Sequence, residues 1–170
     1  SVYIGAFKNN KRNGKGKLIM AEGHVYNGQW LNGKKHGQGS LTYSNGLVYD
    51  GNWILGKIQG KGKMTSPSGA IYEGDFSNGK YHGKGKLTFL NGDYYEGEWQ
   101  FGKKKGKGKY VFKEGGDYQG DWAFDKRHGY GTYHFPNGDT YEGQWHMGQR
   151  QGQGKLTRSN GEIQQGHFQG

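Results

Sequence analysis

Residues 72–94 read YEGDFSNGKYHGKGKLTFLNGDY, and the pattern of this stretch recurs through the whole chain. Tyr72 is one of seven tyrosines, Tyr3, Tyr26, Tyr49, Tyr72, Tyr95, Tyr118 and Tyr141, spaced by 23 residues, with Gln164 in the following slot. Counting each tyrosine as slot one, slot five holds Phe7, Trp30, Trp53, Phe76, Trp99, Trp122 and Trp145, then Phe168. Glycine fills slots three, twelve, fourteen and twenty-one of every full repeat. A fixed period of this length makes the repeat the unit of structure. The chain therefore reads as one array over 1–170, with repeats starting at 3, 26, 49, 72, 95, 118 and 141 and a partial one at 164.

Within the unit, YEGDF and GKGKLTF both alternate small or apolar residues with polar ones, the period-two signature of half-buried strands. No segment shows helical periodicity, and glycine at this density disfavours a helix by about 1 kcal/mol per residue relative to Ala. Residues opposite one another in an antiparallel pair share a face. That rule pairs Tyr72 with Leu87, Gly74 with Gly85 and Phe76 with Gly83, and leaves SNGKYH as the intervening loop. Between repeats, it rejects a two-residue turn and selects a three-residue loop, Leu90, Asn91 and Gly92, with Gly92 in the left-handed conformation. The expected fold is all-β, an elongated single-layer antiparallel β-meander of about fifteen strands with one aromatic and one polar face. On the polar face this register sets Glu96 beside Lys109, Glu98 beside Lys107, Asp50 beside Lys63 and Glu142 beside Lys155.

Composition narrows the function classes. The 170 residues include 36 Gly, 2 Pro and no Cys, only 30% are hydrophobic, and the net charge is +10. A mean hydropathy of -1.10 with that charge would suggest disorder, but disordered chains are poor in aromatics, and this one has 13 Tyr, 8 Phe and 5 Trp. Without cysteine there is no disulfide or thiolate metal site. No apolar run approaches the roughly 18 residues of a membrane helix. Ser1 in place of an initiator Met, and an eighth repeat that stops at Gly170, read as a fragment of a longer chain. Its sheet ends would be open to self-association.

YEGDFSNGKYHGKGKLTF and YEGEWQFGKKKGKGKYVF resemble the MORN-repeat pattern, Tyr-Glu-Gly-x-Trp followed by Gly-Lys-x-x-Gly-x-Gly. The resemblance runs from residue 3 to 170, with departures at Asn10, Asp125 and Gln164. It implies a β-meander used as a scaffold, with no catalytic residues and no cofactor. MORN arrays occur in junctophilin-like membrane tethers, plant phosphatidylinositol phosphate kinases, radial-spoke heads, parasite cytoskeletal proteins and a myosin-binding adaptor. The resemblance thus implies a cytoplasmic, cytoskeletal or ciliary setting, or the cytoplasmic face of a membrane.

Two candidate surfaces follow. Tyr49, Trp53, Tyr72, Phe76, Tyr95, Trp99, Tyr118 and Trp122 form two aromatic rows, readable as the fold's only core or as that core plus an open groove. Large exposed apolar patches mark interaction sites, which favours a groove for a helix or extended segment of a protein partner. The second surface is a basic loop edge carrying Lys34, Lys35, Lys57, Lys80, Lys103, Lys104, Lys105, Lys126 and Arg127. Such an edge keeps a thin sheet soluble, or serves a peripheral membrane adaptor that binds anionic phospholipid. Nucleic acid is disfavoured as a partner, because single-strand binding needs cations and aromatics together and this register separates them. His36, His82 and His128 share slot eleven but lie four strands apart, roughly 19 Å, too far for one metal ion. No Gly-x-x-x-x-Gly-Lys-Ser/Thr phosphate loop occurs.

Overall fold

The computed structural model describes residues 1–170 and contains strands and turns but no helix. Its strands follow one another in chain order from the first to the fifteenth, a meander with no crossover. The chain divides into two compact units, 1–83 and 84–170.

The first unit holds β1 (Val2–Lys8), β2 (Lys11–Ile19), β3 (Val25–Leu31), β4 (Lys34–Thr42), β5 (Val48–Ile54), β6 (Lys57–Thr65) and β7 (Ile71–Ser77). Strand β8 (Lys80–Thr88) runs through the boundary. The second unit continues with β9 (Tyr94–Gln100), β10 (Lys103–Val111), β11 (Asp117–Ala123), β12 (Lys126–His134), β13 (Thr140–His146), β14 (Gln149–Thr157) and β15 (Ile163–Phe168).

Between repeats the register is the one parity selects. In the first unit Leu18 faces Tyr26 and Leu41 faces Tyr49; in the second, Tyr110 faces Tyr118 and Leu156 faces Gln164. The connecting loop has three residues. The Phe89 N–H donates to the Asp93 carbonyl at 2.9 Å, the Gly92 N–H returns to Phe89, and Gly92 is left-handed at φ 96°.

Within a repeat the expected register holds for half the hairpin and then breaks. Tyr95 faces Tyr110 and Gly97 faces Gly108, but Trp99 faces Lys104 rather than Gly106, and the last pair is Gln100 with Lys103. The chain takes up the difference as a bulge: Glu98 spans the place where β10 carries Lys105, Gly106 and Lys107, with Gly106 at φ 78°. The turn therefore has two residues, Phe101 and Gly102, at φ 50° and 80°, the doubly left-handed type I′ geometry that suits the twist of a hairpin. The same break recurs at Trp30–Lys35 and Trp53–Ile58 in the first unit, and at Trp122–Arg127 and Trp145–Arg150 in the second.

Side chains of slot four stitch the bulge. The carboxylate of Glu98 accepts from the Lys107 N–H, that of Asp121 from the Tyr130 N–H, and the amide oxygen of Gln144 from the Gln153 N–H. This changes the expected polar-face ladder. Asp50–Lys63, Glu96–Lys109 and Glu142–Lys155 are directly opposite as expected. Glu98, however, is committed to backbone, and the Lys107 ammonium pairs with Asp121 of the next repeat. Lys61 likewise reaches forward to Asp75 at 2.5 Å.

Candidate functional site

The aromatic face is built on a close approach of two glycines. Gly97 lies beside Gly108, and a Cβ on either would overlap the other's backbone or the ring of Tyr95. With both side chains missing, the Tyr95 ring lies flat on the strip, and its hydroxyl donates to the Glu98 carbonyl at 2.9 Å, tying down the bulge. Tyr26, Tyr49, Tyr72, Tyr118 and Tyr141 bond in the same way to the carbonyl three residues on. All six rings are 0% exposed.

The slot-five indoles link repeat to repeat. Trp122 Nε1 donates to the Gly108 carbonyl and Trp145 Nε1 to Gly131; in the first unit Trp30 and Trp53 reach Gly16 and Gly39. Within each unit a slot-one tyrosine then meets two slot-five rings edge-on, as Tyr26 does with Trp30 and Trp53. Tyr95 contacts Trp99 at 5.0 Å and Trp122 at 5.2 Å, and Tyr118 contacts Trp122 and Trp145. Edge-to-face pairs of this kind add about 0.5–1.5 kcal/mol each beyond area burial.

All eight residues assigned to a groove, Tyr49, Trp53, Tyr72, Phe76, Tyr95, Trp99, Tyr118 and Trp122, are buried. They form the core, and what closes over them is slot ten. The bulge brings Lys35, Lys104, Arg127 and Arg150 opposite their tryptophans and onto the ring faces. The Lys104 ammonium sits 5.6 to 5.9 Å from Tyr95, Trp99, Tyr110 and Trp122. The Arg127 guanidinium lies 4.8 Å from Trp145 and 5.2 Å from Tyr133. Where slot ten is not cationic it serves the same place: Ile58 is buried, and Tyr81 stacks on Tyr72 at 3.8 Å.

The basic edge is therefore thinner than the sequence suggests. Lys34, Lys57, Lys80, Lys103, Lys105 and Lys126 are exposed, whereas Lys35, Lys104 and Arg127 have left the edge for the aromatic face. Burial lowers the Lys104 pKa, partly offset by the Asp125 carboxylate at 3.9 Å. Lys35 is lowered by burial and then by neighbouring Arg12. The histidines of slot eleven also have a structural use: Nδ1 of His36 and of His128 accepts the turn N–H of Leu55 and of Met147 in the next repeat. No cluster of metal-ligating side chains is present.

Between successive slot-ten residues the face opens into hollows. In the second unit one of about 320 Å³ is lined by Lys104, Tyr110, Phe112, Trp122, Asp125, Lys126 and Arg127, among others. The next, about 390 Å³, is lined by Arg127, Tyr133, Phe135, Trp145 and Arg150 together with Gly148, Gln149 and Gly170. In the first unit a hollow of about 430 Å³ has Lys35, Leu41, Tyr43, Trp53, Lys57 and Ile58 in the equivalent slots. Each cup has an indole and a slot-sixteen side chain for its floor, a slot-eighteen aromatic for one wall, and slot-ten residues at both ends. Tyr43, Tyr110, Phe112, Tyr133 and Phe135 are the lining residues that reading the sequence as two aromatic rows passes over. The signal for them is parity, since slots sixteen and eighteen alternate with the same phase as the glycines of slots twelve and fourteen. Burial pushes the Tyr110 phenol up to about 12, helped by its bond to Asp93.

Comparison with known proteins places this geometry. No curated protein matches the chain. Among solved structures, the TCP domain of SAS-4 (dCPAP) from Drosophila melanogaster, in complex with a proline-rich motif of Ana2, is similar at TM-score 0.56 and 16% identity. The match covers 92% of this chain and 85% of that one. The TCP10 domain of Danio rerio CPAP, in complex with a STIL peptide, matches at 13% identity over 98% of this chain and 84% of that one, but its TM-score of 0.30 is too low to bear on the fold. The MORN repeat matches residues 3–25, 26–48, 49–71, 72–94, 95–117, 118–140 and 141–163 in unbroken succession, the same slots that build the tyrosine–indole ladder, and the chain belongs to the MORN-repeat family.

Proposed function

We propose that this array is a non-enzymatic scaffold that holds a segment of a partner protein along its aromatic face, within a cytoskeletal, axonemal or membrane-apposed assembly. The observation that carries the reading is repetition: the same cup, with aromatic walls and a slot-ten residue at each end, recurs at equivalent slots. Two successive equivalent hollows within the second unit suit a linear ligand with periodic anchors, whereas a catalytic centre is a single constellation. The peptide-bound state of the structurally similar TCP domain agrees with this use of the fold. Because the tyrosine and tryptophan rows are buried, the partner's anchors meet slots ten, sixteen and eighteen and only the edges of the indoles. The test is to select peptides on the folded array and measure their affinity for the wild type and for Phe112→Ala. Loss of at least tenfold with unchanged circular dichroism supports the reading, and selected peptides indifferent to Phe112→Ala and Tyr43→Ala would reject it.

A second reading has an observation of its own. Slot nine carries Lys11, Lys34, Lys57, Lys80, Lys103 and Lys126, all exposed. Exposed ammonium groups recurring at one slot in each unit suit an anionic lipid surface, at roughly 1 kcal/mol per charge near the membrane, and Lys103 also has the Asp125 carboxylate 4.0 Å away. Co-sedimentation with acidic liposomes that vanishes when Lys80, Lys103 and Lys126 are changed to Glu would support it, and absence of binding at low salt would reject it.

A further inference from the structure

The cups of the second unit restrict what kind of segment fits them. Resting on the scaffold reading, we propose that their occupant is an acidic, proline-rich segment in the polyproline II conformation, lying across the strands with every third residue entering a cup.

The first argument is period. Successive cups are one repeat apart, which is two strands, or roughly 9.4–9.8 Å across a sheet. A polyproline II helix has three residues per turn at about 3.1 Å each, so its equivalent side chains recur every 9.3 Å or so on one face. An α-helix has no side-chain row at that distance: residues seven apart are about 10.5 Å apart, drifting by roughly 1 Å per repeat. An extended β-strand covers about 10 Å in three residues, but side chains three apart point to opposite faces. Of the regular conformations, polyproline II alone returns the same face to each cup.

The second argument is what lines them. Aromatic walls with shallow apolar floors are the surfaces on which proline rings dock, and the preformed helix loses little entropy on binding. Here the Phe112 wall meets the Tyr110 floor ring at 4.8 Å, and the Phe135 wall meets that of Tyr133 at 4.6 Å. The third is charge. The first cup carries Lys104, Lys126 and Arg127 against the single carboxylate of Asp125, and the second carries Arg127 and Arg150 with no Asp or Glu side chain among its lining residues. A ligand in register with the cups meets this positive rim once per triplet, so acidic residues at triplet spacing complement it and basic ones are repelled.

The test uses a labelled twelve-residue peptide of four Pro-Pro-Glu triplets, titrated at low salt into the whole chain and followed by fluorescence anisotropy. The comparison peptides are four Pro-Pro-Lys triplets and three Pro-Pro-Pro-Glu quartets. The acidic triplet peptide is expected to bind at least tenfold more tightly than either. Lys126→Glu, an exposed change, and Phe112→Ala should each weaken it at least fivefold with circular dichroism unchanged. Absence of saturable binding, equal binding of the lysine triplets, or equal binding of the quartets would overturn the assignment. If the triplet peptide fails while a selected helical segment occupies the cups, the polyproline assignment falls and the scaffold reading stands. If no segment occupies them, both fall.

Discussion

The indole nitrogen of Trp122 donates to the backbone carbonyl of Gly108 at 3.0 Å, a bond that ties one repeat to the repeat before it. Gly108 belongs to the strip on which Tyr95 lies, and Tyr95 meets the edge of Trp122 at 5.2 Å. One tryptophan thus couples the backbone, the ring ladder and the neighbouring repeat.

Trp122→Phe keeps most of the ring and removes the donor, leaving the Gly108 carbonyl short of a partner. The expected cost is about 1–3 kcal/mol. Trp99→Ala, which a groove reading would expect to weaken partner capture with little loss of stability, is instead expected to cost about 3–5 kcal/mol because Trp99 is only 4% exposed. Urea titration of both variants checks this, with the midpoint falling in that order.

Gly108→Ala places a methyl group against the Tyr95 ring and hydroxyl. Overpacking of this kind costs about 1–3 kcal/mol, and the loss should shrink when Tyr95 is also replaced by Leu. A double-mutant cycle on denaturant midpoints measures the coupling, which is expected to exceed about 0.5 kcal/mol for residues in contact.

Alkaline pH should unfold the array through its tyrosines. Burial raises Tyr26 and Tyr49 to about 12, and raises Tyr72, Tyr95 and Tyr118 further in the same direction. A folded pKa above the unfolded value of about 10 means the native state holds its protons longer, so stability is intact below that pH and falls as pH rises through the folded values. Tyrosinate absorbance should therefore appear in two classes, exposed phenols first and the buried row together with loss of the β-sheet circular dichroism.

Much of this was legible in the sequence because side-chain alternation has a period of two. Parity alone selects the Tyr110–Tyr118 pairing, the Gly97–Gly108 pairing and the Leu90-Asn91-Gly92 loop. It does not reveal the bulge, since adding two residues to one strand leaves the faces unchanged. The turn that would betray it is disguised: Phe101, Phe124 and Met147 hold left-handed positions at φ 46° to 50°, where bulky residues are uncommon. Parity alone leaves Lys104 and Arg127 on the loop edge for the same reason. Once the loop contracts to two residues, slot ten becomes a strand position opposite tryptophan, and a long cationic side chain lies along the rings with its charge near their faces.

Lys104 tests that account of slot ten. Its ammonium is desolvated over four rings, and cation–π attraction of about 0.5–2 kcal/mol offsets part of that cost. Ile58 and Tyr81 fill the same slot elsewhere, so Lys104→Met should change stability by no more than about 1 kcal/mol, a near-neutral exchange of one long side chain for another of similar volume. Thermal unfolding of the variant decides it, and a collapse of the fold would mean that the charge is required.

The central claim is that the buried rows are core and that recognition belongs to the cups above them. Chemical-shift mapping on the isotope-labelled array, titrated with a peptide selected on it, tests this most directly. The account predicts shifts concentrated at Lys104, Tyr110, Phe112, Arg127, Tyr133 and Phe135, with the indole N–H signals of Trp122 and Trp145 still bonded and protected from exchange. Shifts confined to Lys107, Lys109 and Asp121 on the polar face, or to the slot-nine lysines that line no cup of the second unit, such as Lys80 and Lys103, would contradict it.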